Sequence, residues 1–362
     1  MNAMIQHRLN STFTDQFGRT KRKLRISVTD RCNFKCVYCM PEHPEWIKKH
    51  DLLSFEELYQ FCEFMVRHGI EQIRITGGEP LMRQGVVHFI AELQKLKKHG
   101  LKRISMTTNA HYLKQYASQL KQAGLDDLNI SLDSLDAAQF KQLTKKELQP
   151  VLDGIFAAQQ VGFNIKINAV LIKGVNETQI LPLAHWSIKN NFTVRFIEFM
   201  PLDGDAQWSK HDVVTEQEIL EQLKQNFEVS MKQGQSSEPA RQYFINGHPI
   251  GIISTISNSF CGTCDRVRLT AQGDFYNCLF SPQGISLKAQ IETLKNNNLD
   301  HGQTIQSQQL LKTVSKYIWH KKQGFHAIQH DADTQSDKEV IPYIESKKDS
   351  TSRKISMYMI GG

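Results

Sequence analysis

Leu24-Arg25-Ile26-Ser27-Val28-Thr29, an alternating run rich in β-branched residues, leads through Asp30-Arg31 directly into Cys32-Asn33-Phe34-Lys35-Cys36-Val37-Tyr38-Cys39. A strand that ends in a loop of three closely spaced thiols puts candidate ligands where parallel α/β folds build their sites, beyond the C-terminal strand ends. Five more strand-like runs follow: Gln72 to Thr76, Arg103 to Thr108, Asp127 to Leu132, Asn164 to Leu171 and Thr193 to Phe199. Amphipathic helical runs separate them. The clearest begins at Ser54, whose hydroxyl and Glu57 form a capping box before an apolar stripe of Leu58, Phe61, Cys62 and Met65, predicted to face the sheet. Six βα units predict an α/β fold, a partial (βα)6 barrel left open along one side because two of the usual eight units are missing. The open side would admit a large substrate.

Beyond a last helix near Thr215 to Phe227 the alternation fades, and a Gly/Ser-rich stretch, Gly234 to Pro239, reads as a junction. The expected division is therefore 1–230, the barrel with an N-terminal extension, and 231–362, a C-terminal module. Asp331 to Lys354 is polar and charged; a mixed segment, Ile355 to Ile360, and Gly361-Gly362 close the chain. The 362 residues, 40% hydrophobic and 22% charged, exclude a disulfide miniprotein and a disordered chain. Lys+Arg 44 against Asp+Glu 37 gives +7, and the pI near 8.9 favours acidic partners. Met1 to Phe13 has no apolar core of a secretory signal and no later run has membrane-spanning length, so cytoplasmic placement, no membrane partner and reduced or metal-bound cysteines are expected.

Six of the seven cysteines form two triads: Cys32, Cys36 and Cys39, and Cys261, Cys264 and Cys278. Structural zinc takes four protein ligands, whereas three thiolates suit a 4Fe-4S cluster with one iron open to a small molecule. For Cys261 and Cys264 alone a zinc ribbon stays open as a reading. Cys62, on a helix stripe, reads as a small core residue. His320, His326 and His330 read as a solvated helical face rather than a metal site.

Arg31 to Pro41 resembles the cluster motif of radical S-adenosylmethionine (SAM) enzymes, and Thr76-Gly77-Gly78-Glu79-Pro80 their glycine-rich SAM-binding strand end. With Cys261-x2-Cys264-x13-Cys278, the run Cys264-Asp265-Arg266-Val267-Arg268 and the terminal Gly361-Gly362, the resemblance narrows to the GTP 3',8-cyclase family and covers the chain from Phe17-Gly18-Arg19 onward. Ala110 stands where that family's Thr-Thr-Asn is usually followed by glycine, and the region from Ser281 to Lys354 matches it poorly.

The resemblance implies two 4Fe-4S clusters, on Cys32, Cys36 and Cys39 and on Cys261, Cys264 and Cys278. SAM would be cleaved at the first and the guanine of GTP held at the second, giving 3',8-cyclo-7,8-dihydro-GTP, the first step of molybdenum cofactor biosynthesis. It implies SAM contacts at Tyr38, Gly78, Ser131 and Met200. GTP contacts are implied at Arg25, Arg74, Thr107, Lys166, Arg266, Val267 and Arg268, and Gly361-Gly362 as a flexible tail inserting into the site. On the residues themselves, Gly77 and Gly78 would let backbone approach the methionine part of SAM, and Glu79 would accept from its ammonium. Arg266 and Arg268, two apart on an extended segment, would point to one side toward a triphosphate. A one-electron reductant and a following cyclic pyranopterin monophosphate synthase are the implied partners, and a homodimer is suggested by the resemblance alone. The rivals are a radical SAM peptide-modifying enzyme, disfavoured by Arg266, Arg268 and the Gly-Gly end, and a zinc-containing nucleic-acid-binding protein. Nucleic acid is not an expected partner.

Overall fold

The computed structural model describes residues 13–202, 208–232, 238–295, 305–328 and 356–361. Six parallel strands form its centre: β1 Lys23–Ser27, β2 Gln72–Thr76, β3 Arg103–Thr108, β4 Asp127–Ser131, β5 Asn164–Leu171 and β6 Thr193–Glu198. They pair in chain order without closing, so the expected open partial barrel is the observed fold. Helices supply the crossovers: α1 Phe55–Arg67, α2 Val86–Leu93, α3 Leu113–Gln122, α4 Ala137–Thr144, α5 Gln149–Gln160 and α6 Ile180–Asn190, with α7 Glu216–Lys224 after the last strand. The Ser54 capping box is formed, and α1 buries Leu58, Phe61, Cys62 and Met65 in the main core. Each large side chain there contributes about 1.5–3 kcal/mol.

The chain after residue 228 does not build a sheet of its own. β7 Val229–Met231, β8 Arg241–Ile245 and β9 His248–Ile253 extend the sheet beyond β6, with β9 parallel to it. β10 Arg266–Leu269, β11 Asp274–Tyr276 and β12 Ile285–Ser286 extend it beyond β1, with β10 parallel to β1 in the register Arg25 to Arg268. One twelve-stranded sheet therefore carries both cysteine-bearing segments. Helices α8 Lys288–Lys295 and α9 Ile305–Trp319 cover its β10 end, and α10 Met357–Ile360 lies near the C-terminus. No described helix is long and apolar enough to cross a membrane. Gly234 to Ser237 of the expected junction, the polar stretch from Asp331 to Lys354, His330 and Gly362 lie outside the described residues; His320 and His326 are exposed.

Candidate active site

The first triad occupies the loop after β1, stitched to the end of β2 by two backbone bonds, from Gly78 N to Thr29 O and from Glu79 N to Arg31 O, each 2.8 Å. A Cβ on Gly77 would lie 2.5 Å from Thr29 O, and one on Gly78 2.3 Å from Arg31 O. These glycines thus allow a close approach to the chain's own cysteine loop. Glu79 likewise has partners within the chain. Its carboxylate is fully buried and accepts from Leu81 N, Thr108 Oγ1 and Asn109 N at 2.8–3.0 Å, tying the ends of β2 and β3 together. Burial pushes it up to about 7 against those three donors.

Around the first triad the field is neutral to negative. Burial, then Glu79, pushes the Cys32 thiol up to about 12, while Asn109 Nδ2 and Phe34 N donate weakly to its sulfur. Burial likewise raises Cys36 and Cys39, with their fellow thiols and Asp133 adding to it. Tyr38 donates to Asp133 Oδ2 at 2.6 Å, Val170 N donates to Oδ1, and burial lifts this carboxyl to about 6. Ala110, next to Asn109, sits in the left-handed region at φ 61° and is wholly buried, a backbone conformation that favours glycine.

The second triad faces a cavity of about 870 Å3, open mouth included. Cys261, Cys264 and Cys278 line it together with Arg25, Arg74, Thr107, Arg195, Arg266 and Arg268. Both arginines of β10 reach it, while Val267 between them is buried in the main core, leaving only its backbone to the site. Lys166 does not line this cavity; it sits on the same strand two residues before Asn168, which does. Glu238 lies nearby: burial would raise it, but Lys23, which it pairs at 3.0 Å, and then Lys166 and Arg74 hold it down to about 2.

The cations crowd one another. Burial, followed by Arg268, Arg74, Arg266 and Arg195, depresses Arg25 well below its ordinary value, and burial with Arg266 brings Arg268 down to about 9. Arg195, which the sequence reading missed, is buried at the cavity wall and donates to Asn168 Oδ1 at 2.9 Å and to Asn129. It lies two residues before Ile197 on β6, on the face shared with that cavity-lining residue. Cys264 is unlike the first triad. Burial would raise its thiol, but Arg266 and Lys321 outweigh it and hold it well below the usual cysteine range.

The C-terminal helix joins the two regions. Met357 lines the cavity, while Tyr358 and Met359 pack with Met40, Cys32, Cys39 and Trp46. Gly361 then docks at the head of the Thr76-Gly77-Gly78 turn; its φ is 76°, and a Cβ would lie 2.1 Å from Thr76 Cγ2. Its carbonyl accepts from Arg268 Nη1. Of Tyr38, Gly78, Ser131 and Met200, only Met200 lines the cavity; Gly78 and Ser131 stand at strand ends and Tyr38 in the cysteine loop.

All seven cysteines are free thiols. Among the described residues no three His, Cys, Asp or Glu side chains converge as ligands of a single metal ion would. A cubane cluster asks for a wider spread, since each thiolate takes a different iron. The first loop, with three thiols beside strand ends and no fourth protein ligand required, fits such a group.

Residues 26–187 match the Radical SAM superfamily model, and residues 192–328 match Molybdenum Cofactor Synthesis C. A GTP 3',8-cyclase of Geobacter sulfurreducens is 44% identical over 285 residues, 77% of this chain and 86% of its own length. One of Staphylococcus epidermidis is 36% identical over 365 residues, 98% and 100% of the two chains. Among solved structures, Streptococcus suis SuiB bound to S-adenosylmethionine superposes with a TM-score of 0.58 at 15% identity, covering 83% of this chain and 70% of that one. This last likeness concerns the fold.

Proposed function

The chain belongs to the GTP 3',8-cyclase family of radical SAM enzymes, and from that premise we propose how its residues share the work of cyclising GTP to 3',8-cyclo-7,8-dihydro-GTP, the first step of molybdenum cofactor biosynthesis. When bound at Cys32, Cys36 and Cys39, a 4Fe-4S cluster with SAM supplies an electron and a 5'-deoxyadenosyl radical. The protein's part is to place and shield. Tyr38, Gly78, Ser131 and Met200 are assigned to SAM, along the rim between the cysteine loop and the ends of β4 and β6.

Arg25, Arg74, Thr107, Arg266 and Arg268 are assigned to the nucleotide, with Lys166 deeper on the same face of β5 and the backbone of Val267 alongside. Buried guanidiniums that repel one another gain most from an anion carrying several charges, which a triphosphate is and a peptide is not. The second triad is assigned a second 4Fe-4S cluster, whose open iron would take the guanine and hold C8 near the ribose, so that orientation carries much of the rate. Gly361, and Gly362 beyond it, are assigned to closing the site, since the carbonyl of Gly361 already engages Arg268. In this division residues 1–230 supply the SAM contacts and, through Arg25, Arg74, Thr107 and Lys166, part of the nucleotide's, and residues 231–362 supply the second triad with Arg266, Val267 and Arg268. A one-electron reductant, a following cyclic pyranopterin monophosphate synthase and a second copy of the chain complete the implied partners, in the cytoplasm.

The single observation that carries this reading is the shared wall: three thiols and five guanidiniums on one cavity, those of Arg195, Arg266 and Arg268 buried and those of Arg25 and Arg74 half-buried. Anaerobic reconstitution with SAM, dithionite and GTP is expected to give 5'-deoxyadenosine and the cyclised nucleotide, with about eight iron and eight sulfide per chain. SAM cleavage with GTP unchanged would overturn the substrate, and four iron per chain would overturn the second cluster.

A further inference from the structure

Lys321 follows α9 and is 2% exposed. Its ammonium has three N–H donors and three partners: Cys264 Sγ at 3.4 Å, Arg266 O at 3.3 Å and Asn277 O. All donors are thereby committed within the protein, so Lys321, although it borders the cavity, has none left for a nucleotide phosphate. Among the described residues no carboxylate pairs with it at salt-bridge distance. Asp15, the carboxylate of the adjoining N-terminal segment, is shared by Lys21 at 2.7 Å and Arg19 at 2.7 Å. A buried ammonium is retained only where an opposite charge meets it. The two backbone carbonyls solvate it without neutralising it, which leaves the sulfur as its counter-charge.

The surrounding chain is built to hold this position. Gln16 N donates to Trp319 O and Gln16 Nε2 to Lys321 O at 3.2 Å. Arg19 donates to Lys322 O, Gln323 O and Cys261 O at 2.6–2.9 Å, and Lys21 Nζ to Cys264 O at 2.7 Å. The N-terminal segment thus clamps the Lys321 turn and the Cys261–Cys264 loop together. The donors on the sulfur of Cys32, by contrast, are the uncharged Phe34 N and Asn109 Nδ2.

We infer that Lys321 is a positioning residue of the second cysteine triad, whose fixed positive charge holds the Cys264 thiolate in place and sets how readily a 4Fe-4S cluster bound there accepts an electron. This rests on the two-cluster reading above. With three thiolates, an oxidised cubane core carries a net charge of −1, and one added electron makes it −2; a cation in hydrogen-bond contact favours the reduced form.

The test is an anaerobic redox titration of the full-length loaded protein, followed by electron paramagnetic resonance, with Lys321→Gln and Lys321→Arg beside the native chain. It is repeated in a Cys32→Ala/Cys36→Ala/Cys39→Ala background to isolate the second cluster's signal. Lys321→Gln is expected to lower the reduced-to-oxidised ratio of the second cluster at a given potential at least about tenfold, 59 mV for one electron. Lys321→Arg is expected to stay within about threefold of the native ratio. The first cluster's signal should not move in either variant, which also reports that the barrel is folded. Loss of the second cluster in Lys321→Gln with retention in Lys321→Arg supports the inference equally. A native ratio in Lys321→Gln, or loss in both variants, overturns it while the two-cluster reading stands. A native chain whose second triad assembles no cluster overturns that reading and this inference with it.

Discussion

The two cysteine triads offer the same donors in opposite fields. Cys32, Cys36 and Cys39 lie among Glu79, Asp133 and uncharged donors, and burial pushes all three thiols up. Cys264 lies against Arg266 and Lys321, which hold it down; Cys278, raised by burial, also feels Lys321. A redox centre among carboxylates is harder to reduce and a stronger donor once reduced; one among cations suits an anionic nucleotide. The two triads therefore differ in their neighbouring charges and not in their ligands.

The hardest blow to this contrast comes from deleting one thiol on each side. Cys36→Ala is expected to abolish 5'-deoxyadenosine formation, whereas Cys264→Ala should retain SAM cleavage and lose the cyclised nucleotide; loss of both activities in Cys264→Ala, measured by chromatography, would break the division. Arg266→Ala is next. It removes a buried guanidinium, and the loss of about 1.5–3 kcal/mol for a charged hydrogen bond should weaken GTP binding about 10–100-fold in a calorimetric titration. SAM affinity should hold, and equal weakening of both ligands would erase the distinction between the two regions.

A milder probe uses the mutual repulsion of the arginines. Inorganic triphosphate should raise the melting temperature by a few degrees at low ionic strength, since a ligand at about 100 times its Kd adds about 2.7 kcal/mol. The rise should shrink in high salt, and no rise at any salt would mean that the cavity does not collect phosphate. The smallest effect is expected at Ala110→Gly. Relief of a left-handed alanine, worth about 1–2 kcal/mol, is offset by a freer unfolded chain and a lost buried methyl, about 0.4–1 and 0.8 kcal/mol. Calorimetry should find stability within about 1 kcal/mol of native and no change at the second triad; a large destabilisation would mean that the methyl's packing outweighs the backbone strain.

Much of the fold was legible because each strand carries its own alternating pattern. The six expected runs begin within a residue of the observed strands and end within two of them. The Ser54 cap and the core position of Cys62 were legible for the same reason: both depend on residues within a turn or two. What each glycine and Glu79 touches was not. Gly77, Gly78 and Glu79 meet Thr29, Arg31, Thr108 and Asn109, neighbours created by parallel pairing of strands about thirty to fifty residues apart. Arg195 and Lys321 escaped notice because a lone cation on a strand or after a helix has no local signature.

Spacing and residue type by themselves settled the open α/β barrel, the existence of two thiol triads and the pair of arginines that alternates around Val267, because each is a property of a few consecutive residues. Only the folded chain decided that Arg266 and Arg268 stand beside Arg25, and that Lys321 meets Cys264 from 57 positions away. It alone laid Gly361 against Thr76. Long-range register and buried charge are set by the packing of the whole sheet, and no local pattern encodes them.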